Sequence, residues 1–273
     1  MKDIPDKSTS LSILGGVDYL IDSALHLTGD EAFDRDPIGR APHHQHITSC
    51  QRRSTGPPNG FDALALVTAI YDKVVANWEA SSYHNGSDEN WRLQANKGIA
   101  ENNDSEEVFL ERVIVRTMNG HQPKPECWFN QVPVASGLVH PSADHGRNVD
   151  LVHQLGDKTF ELIELKVRSD TPLYAAMEIL KYGLVYVFCR RCALISQSIF
   201  KHPKLLEAER IHLRVLAPAA FYEKYDLSWL EASLNKGIAE FSVQHSLSFG
   251  LDFAFETLTL VARSAVRWRP AQS

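Results

Sequence analysis

The stretch RNVDLVHQLGDKTFELIELKV, residues 147–167, decides how this chain is read. Two runs rich in β-branched, aromatic and leucine residues, 148–153 and 159–167, flank the turn-forming Gly156-Asp157-Lys158, and this spacing predicts a β-hairpin. Strand alternation puts Phe160, Leu162, Glu164 and Lys166 on one face of the second run and Glu161, Ile163, Leu165 and Val167 on the other. Both faces are largely apolar, which is the pattern of a central strand covered by helices on both sides. A carboxylate and an ammonium near the end of such a strand need compensation, because burying an unpaired charge is costly. Three arrangements supply it: a buried salt bridge among Glu164, Lys166 and Asp150, a solvated strand end, or a divalent cation held by hard oxygen ligands.

The flanking segments extend the pattern in both directions. Upstream, Ser105 followed by Glu106 and Glu107 opens a helix expected over 105–118, with a capping hydroxyl and negative charge in its first turn. Glu111 has Val108, Ile114, Val115 and Met118 as its three- and four-residue neighbours, so it falls on the apolar stripe; the alternative is a surface carboxylate paired with Arg112 or Arg116. A strand is expected at 128–134. Downstream, Pro172 suits a first helical turn, and Ala175, Ala176, Ile179, Leu180, Leu184, Val187 and Phe188 form the apolar side of a helix over 172–188. A strand at 211–216 follows it. Glu178 and Tyr182 stand one turn apart on the helix, which by itself fits an ordinary i, i+4 surface pair.

Asp150 followed by Glu164-Leu165-Lys166 on the next strand resembles the D…(D/E)xK signature of the PD-(D/E)xK nuclease superfamily, and the order helix, three strands, helix, strand over about 105–217 resembles that family's core. The proline that often precedes the aspartate is replaced by Val149. The resemblance implies an α/β fold with a restriction-endonuclease-like αβββαβ core, a central mixed sheet flanked by helices, and an N-terminal helical extension. It divides the chain into an extension over 1–90, with a loop at about 30–60, and a nuclease-like domain over 91–273.

It also implies a site. Asp150 and Glu164, with the main-chain carbonyl of Leu165, would bind Mg2+ or Mn2+, and Lys166 would orient or activate the attacking water and stabilise charge on phosphorus. Glu111 would be a further acidic member. Glu178 with Tyr182 is similar to the QxxxY pair of exonuclease-like branches, with Glu in place of Gln, and Lys181 and Arg168 complete the residues expected near substrate. The expected partner is nucleic acid, with DNA ahead of RNA; no membrane is expected, and a homodimer is left open. Two other readings stand beside this one. One is a nuclease-fold module that binds or assembles without cutting, and the other is a structural α/β protein whose trio is a buried ion network.

Composition bounds these readings. At 273 residues and 44% hydrophobic content the chain can bury a sizeable core. A net charge of −6 and a pI near 6.0 do not favour nucleic-acid binding, although Arg112, Arg116, Lys166, Arg168, Lys181, Arg190 and Arg191 lie in or beside the expected core. The start lacks a secretory segment, and the four cysteines have no framework spacing, so a cytoplasmic location is expected. Cys189 and Cys192 read as helix-end packing residues.

Elsewhere, helices are expected at 11–27, 61–78 and 227–241, a short one at 91–100, and one or two strands over 249–261. The region 30–60, with His43, His44 and His46, lacks a second ligand cluster for zinc and reads as an exposed loop. The basic, aromatic end around Arg267, Trp268 and Arg269 reads as a frayed terminus, with contact to a phosphate backbone as the alternative.

Overall fold

A computed structural model describes residues 12–27, 43, 53, 55–84, 88–98, 105–120, 127–168, 170–195, 201, 204–261 and 265–270. In chain order its elements are α1 (Val17–Ala24), α2 (Ala63–Glu79), α3 (Glu106–Gly120), β1 (Trp128–Pro133), β2 (Asn148–Gly156), β3 (Thr159–Leu165), α4 (Pro172–Ile195), β4 (Arg210–Pro218), α5 (Ala219–Tyr222), α6 (Ser228–Gln244), β5 (Gly250–Val261) and β6 (Ala265–Pro270). The strands form one six-stranded sheet in sequence order. β1, β2 and β3 form an antiparallel meander, β4 and β5 join in parallel, and β6 returns antiparallel. α4 and α6 are the crossovers that parallel pairing requires.

Local chemistry explains where the site-bearing helices begin. The Ser105 hydroxyl accepts the Val108 N–H at the start of α3, and the Thr171 hydroxyl accepts the Tyr174 N–H just before Pro172 opens α4. α4 is long and apolar enough to cross a membrane over Pro172–Cys192, but 89% of that window is buried, which is the profile of a core helix. It lies on the face of the sheet formed by Phe160, Leu162, Leu213 and Val215, together with α1, α2 and α6. On the other face Ile114 and Val115 of α3 pack on Leu151, Ile163, Leu165 and Leu216. β3 is therefore covered on both sides, which is why its two faces are equally apolar. The N-terminal helices have no core of their own, because Val17, Ile21, Leu66 and Ile70 belong to the same cluster as Ile179 and Phe241.

Two helix contacts are set by glycine. A Cβ on Gly183 of α4 would come within 2.5 Å of Leu213 Cδ1, and one on Gly237 of α6 would meet the backbone of Ala63 at 2.6 Å. The second clash is with main chain, which yields only if α2 moves. Gly237→Ala is therefore expected to destabilise the protein by about 1–3 kcal/mol despite its better helix propensity. An unchanged or higher urea midpoint would show that α2 and α6 can separate freely.

Three expectations require correction. No helix forms at the start of 91–100: residues 92–98 run without regular structure beside β1, with Trp91 N–H donating to Pro133 O and Asn130 N–H to Gln94 O. The fully buried Trp91 indole anchors this segment in a positive-φ conformation that helix periodicity cannot anticipate. His43 is not in an exposed loop but is fully buried, its main-chain N–H and Nδ1 both bonded to Asp22 of α1 at 2.9 and 2.7 Å; His44 and His46 lie outside the described residues. The C-terminal stretch is not frayed over 265–270, since β6 supplies backbone partners to the edge of β5.

Candidate functional site

Asp150, Glu164 and Lys166 come together where the hairpin meets α4. The register that pairs Leu151 with Ile163 sets Asp150 across from Glu164 one step further along, so the two carboxylates share a face of the sheet. Asp150 Oδ2 accepts the main-chain N–H of Leu165 at 2.9 Å. Glu164 is 3% exposed, and its Oε1 lies 2.7 Å from Lys166 Nζ. β3 ends at Leu165, and the Lys166 N–H donates to Leu216 O of β4 at 2.9 Å, so the lysine is held just past the strand end.

α4 supplies the opposite wall. Glu178 Oε2 is 3.5 Å from Lys166 Nζ, and Tyr182 donates its hydroxyl to Glu178 Oε1 at 3.4 Å. The expected helical pair thus faces the trio rather than solvent. Lys166 also lies 5.3 Å from the centre of the Tyr174 ring and 3.9 Å from Asp170 Oδ2. Glu111 of α3 is 1% exposed, on the inward stripe, and its Oε2 accepts Gln131 Nε2 at 2.8 Å. Gln131 has φ 52 and lies opposite Asp150 in the register of β1 with β2.

Two residues expected at the substrate are placed differently. Lys181 is buried and donates to Asp18 of α1 at 2.8 Å, while Arg168 is 77% exposed and paired with Glu106. Lys181 therefore acts on the site through the field it exerts on Glu178. Gln131, Asp170, Tyr174 and Asp18 were not among the sequence candidates. No periodicity marks them, because each is brought in by a fold-specific contact.

The electrostatics follow from burying more acid than base. Burial pushes Asp150 up to about 7 against the pull of Lys166 and the Leu165 N–H. Burial and then the Asp150 charge push Glu111 up to about 8, and burial with the charges of Asp150 and Glu178 holds Glu164 well above the usual carboxylate range. Burial alone would depress the Lys166 ammonium, but Glu164, Glu178 and Asp150 outweigh it and raise it. The lysine is a fixed cation there, not a proton acceptor. Burial and the Glu178 charge raise the phenols of Tyr174 and Tyr182, which keeps both as hydrogen donors.

The donor set fits a hard divalent cation. Asp150 and Glu164 present carboxylates on one face, and the buried Glu164 Oε2 meets no hydrogen-bond donor among the described residues. Among the described residues no three His, Cys, Asp or Glu side chains form a ready-made ligand cage. Mg2+ does not need one, since it retains several waters and is commonly held by one or two carboxylates.

A second charged group lies on the other face of the sheet. Arg214 Nη1 is 2.7 Å from Asp252 Oδ1, and its Nε is 3.0 Å from Glu256 Oε1 and 3.9 Å from Glu161 Oε1. His153 and His212 extend this chain to Glu161 and Asp252, both at 2.7–2.8 Å. Burial and then the Glu161 charge push Glu256 up to about 8. A carboxyl raised in the folded state binds a proton that the unfolded chain has already released. Its contribution is complete below the unfolded value and is lost as pH rises through the folded one. With Glu256 and Glu111 at about 8 and Asp150 at about 7, metal-free protein is expected to lose stability between about pH 5 and 8. Thermal unfolding across that range should show a falling midpoint that Glu256→Gln makes shallower; a rising midpoint would contradict these shifts.

Compared with protein-family models, curated proteins and solved structures, the chain matches none.

Proposed function

We propose that this chain is a Mg2+- or Mn2+-dependent hydrolase of nucleic-acid phosphodiesters, with DNA the first substrate to test and a site of the PD-(D/E)xK kind on a restriction-endonuclease-like core. The observation that carries the proposal is the convergence of Asp150 and Glu164, opposed on neighbouring strands, with Lys166 2.7 Å from Glu164 at the end of β3. The element order α3, β1, β2, β3, α4, β4 supports it, since it is the order the resemblance implies.

Asp150, Glu164 and the Leu165 carbonyl would hold the cation. A cation held there would supply Lewis-acid polarisation of the phosphate and a more acidic water. The remaining work falls to the chain itself. Lys166, held cationic, orients the water and balances negative charge developing on phosphorus. Glu178 holds Lys166 against α4 and is itself held by Tyr182. Glu111, fixed by Gln131, adds acidic character behind Asp150 and keeps the carboxylate side of the cleft under repulsion that a cation relieves.

The buried-network reading has its own support, because Lys166 already satisfies one oxygen of Glu164 and no ready-made cage is present among the described residues. Metal titration separates the two. A binding cation stabilises the fold by mass action, about 2.7 kcal/mol at one hundred times its Kd, whereas an ion network gains nothing. The direct test is cleavage of single- and double-stranded DNA and RNA in Mg2+ or Mn2+. Absence of both cleavage and metal-dependent stabilisation would discard the hydrolase reading.

A further inference from the structure

The loop between β1 and β2 borders an open, shallow cleft of about 500 Å3, lined by residues that include Ser12, His140, Ser142, Asp144 and Arg147. Its polar groups sort into those already committed and those still available. Asp144 is committed: its buried carboxylate accepts the Ser12 hydroxyl at 2.6 Å, the Ile13 N–H at 2.8 Å and Arg147 Nε at 2.7 Å. His145 is committed too, with Nδ1 2.9 Å from Ser136 Oγ and Nε2 2.8 Å from Pro141 O.

What is available is donor in character. His140 Nδ1 is occupied by Ser142, whose N–H it accepts at 3.2 Å and whose hydroxyl lies 2.9 Å away, while among the described residues no hydrogen bond engages Nε2. Arg147 uses only Nε on Asp144, and among the described residues no acceptor meets Nη1 or Nη2, while its side chain is 39% exposed. Asp144 thus fixes one edge of the guanidinium and leaves the two-pronged edge for a ligand. At Gly146, φ 85 requires glycine, and no atom lies within 4 Å of where a Cβ would stand, so a ligand can approach the backbone.

The cleft also has a telling position. Arg147 is three residues before Asp150, and its charge reaches Tyr182, the residue bonded to Glu178. We propose that this cleft is a phosphate-binding subsite, in which Arg147 and His140 grip a phosphodiester of the nucleic-acid strand neighbouring the one positioned for cleavage. This rests on the hydrolase reading for the identity of the ligand, though the anion site stands on its own geometry.

The test pairs two probes, inorganic phosphate and a labelled single-stranded oligonucleotide, both titrated without divalent ion against wild type, Arg147→Ala, Arg147→Lys and His140→Ala. Arg147→Lys keeps the charge and guards against an alanine variant that fails to fold. Phosphate is expected to bind wild type and to be lost in Arg147→Ala. Oligonucleotide affinity should fall about tenfold in Arg147→Ala, and its log–log salt slope should shrink by about 0.7, the contribution of one phosphate on a single strand. Arg147→Lys should recover the slope but not the full affinity, because a point charge replaces a two-pronged contact. An unchanged slope with no phosphate binding overturns the subsite, and if cleavage persists the hydrolase reading survives that failure. Phosphate binding that depends on Arg147, in a protein that neither binds nor cuts any nucleic acid, overturns the assignment to a strand and the hydrolase reading with it.

Discussion

Under the proposed hydrolase function, Lys166→Ala is expected to slow metal-dependent cleavage by about 10²–10³-fold while leaving Mg2+ binding intact, because removing one preorganised stabiliser of transition-state charge has that effect. The ammonium is a competitor for Glu164 Oε1 at 2.7 Å, so its loss frees a ligand oxygen rather than removing one. Asp150→Asn and Glu164→Gln should behave differently, weakening Mg2+ affinity because an amide is a poorer ligand than a carboxylate. Single-turnover rates at saturating metal, set beside metal titrations, separate the two classes. Stability gives an independent reading of the same variant. Without metal, Lys166→Ala strands Glu164 and Glu178 and should cost about 3–5 kcal/mol, and Mg2+ should make the change milder. Wild-type protein that takes up no divalent ion, together with a Lys166→Ala variant that unfolds readily, would mark the trio as structural.

The largest loss of stability unconnected with cleavage is expected from Arg214→Ala. Arg214 is the cation shared by Glu161, Glu256 and Asp252 on the α3 side of the sheet. Its side chain is 12% exposed, so truncation leaves the nearly buried Glu256 without its cation and Glu161 with only His153 beside it among the described residues. Breaking a buried pair from one side costs about 3–5 kcal/mol, which is a large part of a typical domain's stability. Urea unfolding measures it, and adding Glu256→Gln should recover part of the loss by removing the acidic group left without its cation. A loss below about 1 kcal/mol would place this group in the weak, solvated class of ion pairs. At a temperature where the variant stays folded, any cleavage that the proposed hydrolase shows should be unchanged, since Asp150 and Glu164 lie on the opposite face.

The division between what could be read early and what could not follows the range of each interaction. The hairpin was legible because alternation and a turn are encoded over about twenty consecutive residues, and β2 and β3 formed within two or three residues of the expected bounds. The same holds for α2, α3 and α6, whose apolar spacing lies within a few turns, with Asp62 and Ser105 capping the first two. Glu111 was placed inward on spacing alone, and it is buried. α4 outran its expected end at 188 because the apolar pattern weakens there while the helix continues to Ile195.

Sequence by itself determined the order of elements from α3 to β4, the two-sided apolar character of β3 and the identity of the trio, since each is a property of residues close together in the chain. Tertiary structure alone decided that Asp22 buries His43, that Asp18 takes Lys181, that Asp144 ties Ser12 to Arg147, and that Arg214 gathers acids from β3 and β5. These partners lie 21, 163 and 132 positions apart for the first three links, taking Ser12 for the last of them. No local periodicity records which distant groups will meet, because that choice is made only when the shared core closes and a buried charge must find whichever partner the packing leaves within reach.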